Sequence, residues 1–152
     1  MAIETGNELY DAPFSWTNQI ATYIKSIAPN VLVADGAASG TLDAYFLPGL
    51  WATDVDIIGS HYYPPNTAQL TSDAVTASAA AKAYVMGEYD WTGNLAPPTL
   101  ANWQIQIEQS NISGDCWWSL LPYKEDDHSG GTFRRLSDME SRSIRCRYTY
   151  TV

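Results

Sequence analysis

Along the chain, short apolar runs alternate with longer segments whose apolar residues return at helical spacing. The first run, Met1 to Ile3, is strand-like and gives way at once to Gly6, Asn7 and Glu8. Asp11 and Pro13 then supply cap and first-turn signals. Trp16, Ile20, Tyr23, Ile24 and Ile27 follow at the spacing of an amphipathic helix until Pro29 and Asn30 stop it. Val31 to Ala34 is a second apolar run ending at Asp35 and Gly36, and Asp56 to Ser60 is a third, opening into His61, Tyr62, Tyr63, Pro64 and Pro65. Thr71 to Ala83 is rich in alanine and predicts a helix with small residues facing a sheet, capped by Ser72 or Asp73. From Ala83 to Trp91, β-forming residues end abruptly at Gly87 and Glu88, and aromatics follow around a second acid. That is the profile of a buried strand whose C-terminal tip presents a carboxylate. Thr99 predicts the cap of a helix with Leu100, Trp103 and Ile107 on its inward face; Asn111 to Gly114 breaks it, and Asp115 to Leu121 reads as a last strand.

The strand tips Glu8, Asp35, His61, Glu88 and Trp118 are separated by 27, 26, 27 and 30 residues. A polar or aromatic residue at each strand end, with a helix before the next strand, is the rhythm of successive βα units and predicts a parallel sheet with its functional groups along one edge. A doubly wound open sheet and a barrel both fit that rhythm. The open sheet needs only the five strands counted, whereas a barrel needs eight and typically ~250 residues. From Tyr123 onward the character changes. A polar loop leads to a tail that holds five of the eight basic residues, Arg134, Arg135, Arg142, Arg145 and Arg147, with no clear period. An exposed end is the expectation there.

At 152 residues the chain is long enough for one domain with a sizeable core. Its net charge of −9 excludes a nucleic-acid partner as the working expectation, because only Lys25, Lys82 and Lys124 precede Arg134 and phosphate binding needs clustered cations. Ten Tyr, six Trp and three Phe suit flat polyhydroxylated ligands, and equally an ordinary large core. Cys116 lies in an apolar segment and Cys146 in the polar tail, so a buried thiol at Cys116 is expected and a disulfide framework is not. The first residues carry no signal-peptide pattern, and no apolar run approaches the ~20 residues needed to cross a bilayer. Asn111, Ile112 and Ser113 form a glycosylation sequon, relevant to a secreted protein.

Two strand tips end in glutamate, Asn7 with Glu8 and Gly87 with Glu88. Two carboxyl groups facing each other across a cleft are the minimum equipment for cleaving a glycosidic bond, provided that one is protonated while the other is ionised. Four segments then carry a resemblance: Thr5-Gly6-Asn7-Glu8, His61-Tyr62-Tyr63, Gly87-Glu88-Tyr89-Asp90-Trp91 and Trp117-Trp118-Ser119. In that order and at βα spacing they resemble the strand four, six, seven and eight signatures of glycoside hydrolase family 5, closest to its fungal mannanase-like and cellulase-like members. The resemblance implies a partial TIM (β/α)8 barrel of about five βα units, corresponding to strands four to eight. It would fill residues 1–130 and leave 131–152 as an Arg-rich tail atypical for the family.

The implied function is that of a retaining glycoside hydrolase on β-1,4-linked polysaccharide, mannan endo-1,4-β-mannosidase-like and extracellular. Glu88 would be the nucleophile and Glu8 the acid and then the base. Asn7 would bind the sugar 2-hydroxyl, and Tyr63 would stand against the nucleophile with His61 nearby. Trp118 would form the stacking floor, a job that Trp117 or Trp91 could take instead. No cofactor, metal, nucleic acid or membrane is expected; Asp126, Asp127 and His128 read as a solvated acidic loop. The family's first three strands, with the arginine and histidine they carry, have no counterpart in these residues. A barrel so opened would expose two parallel edges, a surface for self-association. The competing expectation is an inactive remnant of the fold with at most weak glycan binding.

Overall fold

The computed structural model describes residues 1–10, 12–36, 48–89 and 100–116. In them, strands β1 (Ala2–Glu4), β2 (Leu32–Asp35), β3 (Ile57–Tyr62), β4 (Ala83–Tyr89) and β5 (Gly114–Asp115) alternate with helices. These are α1 (Phe14–Ile27), the single turn α2 (Pro48–Trp51), α3 (Thr67–Ala79) and α4 (Leu100–Gln109). All strand pairs are parallel, and the order in the sheet is the order in the sequence. A doubly wound sheet reverses direction at a switch point; this sheet never does, so it has the progression of a barrel wall. It is a partial barrel of five parallel strands.

The two faces of the sheet differ. Val33, Asp35, Ile58, Ser60, Tyr62, Tyr84, Met86 and Tyr89 point one way and are buried under the helices. There Trp103 of α4 stands edge-on between Tyr62 and Tyr89, with ring centroids 5.7 and 5.9 Å away. On the same side Asp73 of α3 accepts hydrogen bonds from the Tyr62 hydroxyl and from Gln69 Nε2, and the Tyr62 and Tyr84 hydroxyls bond each other at 2.6 Å. Burial pushes the pKa of both phenols up, so both remain neutral and Tyr62 donates to the carboxylate. The other face carries Ala34, Gly59, His61, Val85 and Glu88, all only half-buried. This face corresponds to the inside of a barrel.

Three local expectations are corrected. Helix α3 starts at Thr67, not near Thr71, because Asn66 Oδ1 accepts from Gln69 N at 3.0 Å and caps it; Asp73 is a buried partner of Tyr62 and not a cap. Helix α1 buries Thr17 and Ala21, with Ile24 packed beside them, while Trp16, Tyr23 and Ile27 are exposed. Cys116 is exposed: its N–H bonds Met86 O at 2.9 Å, but it stands just past β5, the outer strand of the described sheet. Asp11, Thr99 and the tail from residue 117 onward fall outside the described residues. Among the described residues, no helix is long and apolar enough to cross a membrane.

Candidate active site

One irregularity in the sheet decides which way Glu88 points. Between β3 and β4 the pairing runs Gly59 with Val85 and Ser60 with Met86, then skips Gly87, so that His61 pairs with Glu88 and Tyr62 with Tyr89. Side chains alternate along a regular strand, and paired residues of neighbouring strands share a face. Without the skip Glu88 would share the helix-covered face with Tyr62. With Gly87 as the extra residue, Glu88 joins His61 on the open face and Tyr89 turns under α4. The position needs glycine, because a Cβ there would meet His61 Nε2 at 2.9 Å and Cδ2 at 3.1 Å.

Glu8 arrives differently. It lies beyond the end of β1, and β2 separates that strand from β3. Gly36, at the end of β2, lets the β1 loop cross: a Cβ on Gly36 would collide with Gly6 O and approach its carbonyl carbon to 2.5 Å. Gly36 N donates to Thr5 Oγ1 at 3.0 Å, and Leu9 N donates to Gly36 O at 2.9 Å, pinning the crossing on both sides. Glu8 itself takes a left-handed φ of 51°, uncommon for a non-glycine residue.

The two deliveries converge. His61 Nδ1 shares a hydrogen bond with Glu8 Oε1 at 2.9 Å and lies 3.7 Å from Glu88 Oε2, and Tyr63 donates its hydroxyl to the same Glu88 oxygen at 2.7 Å. Glu88 and His61 are largely sheltered, with side chains 13% and 11% exposed, and Glu8 is more open at 33%. The nearest donor atoms of Glu8, His61 and Glu88 all lie within 4.8 Å of one another. A tetrahedral zinc with bonds of ~2.0–2.1 Å would hold its ligands roughly 3.4 Å apart. The trio has the donor types for such an ion, but its atoms already form a carboxylate–imidazole–carboxylate chain. The chemistry open to this arrangement is attack by one carboxylate on a carbon that the other assists by proton transfer.

Of the residues singled out from the sequence, Glu8, His61, Tyr63 and Glu88 come together here. Asn7 is exposed beside Glu8, while Trp91, Trp117, Trp118, Asp126, Asp127 and His128 lie outside the described residues. Two neighbours were not anticipated. Glu4 of β1 feels the charges of His61, Glu88 and Asp35. Its carboxyl is held above the ordinary range, first by desolvation and then by the two acids, with His61 opposing. The charge of Glu8 pushes the pKa of the Tyr10 phenol up. Strand alternation pointed to Glu4, since it shares the register line of Ala34; nothing in the sequence marked Tyr10.

No family model and no curated protein matches the chain. Solved structures do. The endo-1,4-beta-D-mannanase of Thermotoga petrophila RKU-1, crystallised with maltose and glycerol, superposes with a TM-score of 0.67 at 19% identity, over 86% of this chain and 49% of that one. The glycoside hydrolase family 5 mannosidase of Rhizomucor miehei gives 0.58 at 24% identity, over 78% of this chain and 39% of that one. A mutant of the Rhizomucor enzyme gives 0.52 at 27% identity, over 59% and 26%. The chain therefore spans between about a quarter and about half of the structures it matches. In fold, this chain resembles part of the barrel of glycoside hydrolase family 5 mannosidases and of a mannanase.

Proposed function

We propose that the chain is the portion of a retaining β-glycosidase barrel corresponding to strands four to eight, acting on β-1,4-linked mannan or a related polysaccharide outside the cell. The observation that carries the reading is the approach of the Glu8 and Glu88 carboxylate oxygens to within 4.8 Å. Retaining enzymes hold their two carboxyl groups about 5–5.5 Å apart, and inverting enzymes need ~6.5–9.5 Å to admit a water. Residues 131–152 would lie outside this unit.

In the first half of the reaction Glu88 forms a bond to the anomeric carbon as the glycosidic C–O bond breaks, and Glu8 gives its proton to the leaving oxygen. In the second half Glu8 takes a proton from water, the water oxygen bonds the anomeric carbon, and Glu88 leaves as carboxylate. Tyr63 occupies Oε2 of Glu88, which leaves Oε1 to attack. His61 bonds Glu8 through Nδ1 and holds that carboxyl over the cleft. Asn7 is assigned the sugar 2-hydroxyl, and Trp118 or Trp91 the stacking floor.

The test is incubation with a 2-deoxy-2-fluoro β-mannoside or β-glucoside bearing a good leaving group, followed by peptide mass spectrometry. A fluoroglycosyl mass on the peptide containing Glu88, lost in Glu88→Ala, is expected. An unlabelled chain would overturn the catalytic reading. The non-catalytic alternative goes with the partial overlap, 49% of the Thermotoga mannanase and 39% of the Rhizomucor mannosidase. It predicts no label but a tryptophan fluorescence change with oligosaccharide.

A further inference from the structure

The sequon Asn111-Ile112-Ser113 is the only one in the chain, and the two-carboxylate chemistry makes no use of it. Helix α4 ends at Gln109, and Asn111 stands exposed in the turn that leads to β5. Ser113 N donates to Tyr84 O at 2.7 Å, which pins the end of that turn to the start of β4. Beside the turn lies a cavity of about 350 Å³ with Asn111 itself on the wall. Ala74, Tyr84 and Ile112 line it together with Ser78, Lys82 and Ser113. Two of these groups are already committed. The Lys82 ammonium donates to Ala52 O and Val55 O at 2.8 and 2.5 Å, and the Tyr84 hydroxyl bonds that of Tyr62. Tyr84 is the second residue of β4 and Glu88 the sixth. At a rise of ~3.3 Å per residue the cavity opens about 13 Å from Glu88 along the strand, at the end opposite the cleft.

An exposed asparagine in a surface turn, two residues before a serine, meets the requirements of an N-glycan acceptor. We propose that Asn111 carries an N-linked glycan whose first N-acetylglucosamine seats in this cavity. The co-reactant is an oligosaccharide held as a polyprenyl diphosphate ester in the secretory membrane. The amide nitrogen of Asn111 forms a bond to the anomeric carbon and gives up one proton, while the C–O bond to the diphosphate breaks and the diphosphate leaves as an anion. The first sugar is then tethered at the cavity wall. At about 350 Å³ the cavity sits at the lower end of the ~300–1,000 Å³ typical of small-ligand sites, room for one N-acetylated pyranose. Ala74, Ile112 and the Tyr84 ring offer contact to its acetyl methyl and C–H face, and Ser78 and Ser113 offer hydroxyls. The tether also sets the energetics. A short link gives an effective concentration in the millimolar range, so contacts too weak to hold a free sugar suffice. This rests on the extracellular part of the reading above and not on the two glutamates, whose cleft the glycan leaves open.

The experiment produces the full chain behind a cleavable secretion leader in a yeast host. Secreted and retained chains are both mapped by peptide mass spectrometry after amidase removal of N-glycans in heavy-oxygen water. A heavy-oxygen aspartate at position 111, absent from Ser113→Ala, is expected; a bare Asn111 in both pools would overturn the proposal. The seat is read separately, on chains trimmed by endoglycosidase to a single N-acetylglucosamine. The trimmed wild type is expected to melt about 2–4 °C above Asn111→Gln. Ser78 is exposed on the last turn of α3, so Ser78→Trp is tolerated by the fold and puts an indole where the sugar would lie. In that background the same comparison should give less than about 1 °C, with Asn111 still modified. No gain in the wild type, or an equal gain in both backgrounds, would refute the seat. Label on Glu88 beside a bare Asn111 would remove this proposal and leave the glycosidase standing, and a sugar on Asn111 beside an unlabelled Glu88 would do the reverse.

Discussion

Replacing Gly87 by alanine asks whether the irregularity in β4, and not merely the presence of a strand, sets the site. The new Cβ would stand 2.9 Å from His61 Nε2, while ordinary contact begins at 3.4 Å, so the ring has to move by at least the difference, 0.5 Å. His61 has little freedom to do so. Its side chain is 11% exposed, and Nδ1 is tied to Glu8 at 2.9 Å. Overpacking of this kind costs about 1–3 kcal/mol, and a weakened bond to a charged partner adds part of a further ~1.5–3 kcal/mol. The expected total is roughly 2–3 kcal/mol, a fall of roughly 4–12 °C in Tm for a chain of this size. Urea unfolding of wild type, Gly87→Ala, His61→Ala and the double variant measures it. With the ring removed the added methyl has nothing to meet, so Gly87→Ala should cost less than about 0.5 kcal/mol in the His61→Ala background. The labelling rate at Glu88 should fall by tens-fold in Gly87→Ala, since displacements near 1 Å cost on the order of 100-fold. An additive cycle, with the same cost in both backgrounds, would refute the packing argument.

Removing the Tyr63 hydroxyl by Tyr63→Phe takes away a bond to the charged Glu88 without disturbing the core. Rate constants should show kcat about 10- to 100-fold lower at nearly constant KM. Asp73→Ala leaves the Tyr62 hydroxyl and the Gln69 amide without their carboxylate partner in a buried site, and thermal unfolding should register a loss of about 2–4 kcal/mol. Glu4 has a raised folded pKa, so the stability its protonated form supplies is complete below the ordinary value of 4.5 and is lost as pH rises through the folded value. Glu4→Gln should therefore raise Tm at pH 7 and leave it unchanged below about pH 4. A gain of equal size at both pH values would exclude the electrostatic cause.

The parallel order of the strands was legible because each apolar run ends in a polar residue at the C-terminal side, and that switch marks the tip of a buried strand whatever its partners are. Glu8, His61 and Glu88, which the structure brings together, stand at such switches, whereas Tyr63 was singled out through the family resemblance. The start of α3 was misread because its alanine-rich stretch has little hydrophobic period, so Asp73 looked like a cap while the true cap, Asn66, follows two prolines that sequence pattern assigns to a loop. The inward face of α1 was misread because its large apolar residues form a stripe, yet the close approach of helix to sheet selects the small Thr17 and Ala21. The extra residue in β4 had one signal, a glycine inside a strand, which marks a bulge or a close approach. Its consequence, the transfer of Glu88 to the open face, depends on the partner strand and is not contained in β4 alone.

Each glutamate is thus brought to the site by a glycine on a different strand: Gly36 lets the β1 loop cross β2 and carry Glu8 to His61, and Gly87 turns Glu88 to the same face. The helix-covered side contributes Asp73, Tyr62, Tyr84 and Trp103 to stability and, among the described residues, gives no hydrogen bond to Glu8 or Glu88. Stability and site geometry therefore reside on opposite faces of one sheet and should separate under mutation. Asp73→Ala should lower Tm while leaving the NMR chemical shifts of the His61 ring unchanged, because its bonds to Tyr62 and Gln69 lie beneath the sheet. Gly36→Ala should move those ring signals, because the displaced loop takes Glu8 away from Nδ1 while the α3 contacts with β3 and β4 persist. A shared response of both variants in both measurements would mean that the open face draws its geometry from the core after all, and that the glycines only record a shape imposed from beneath.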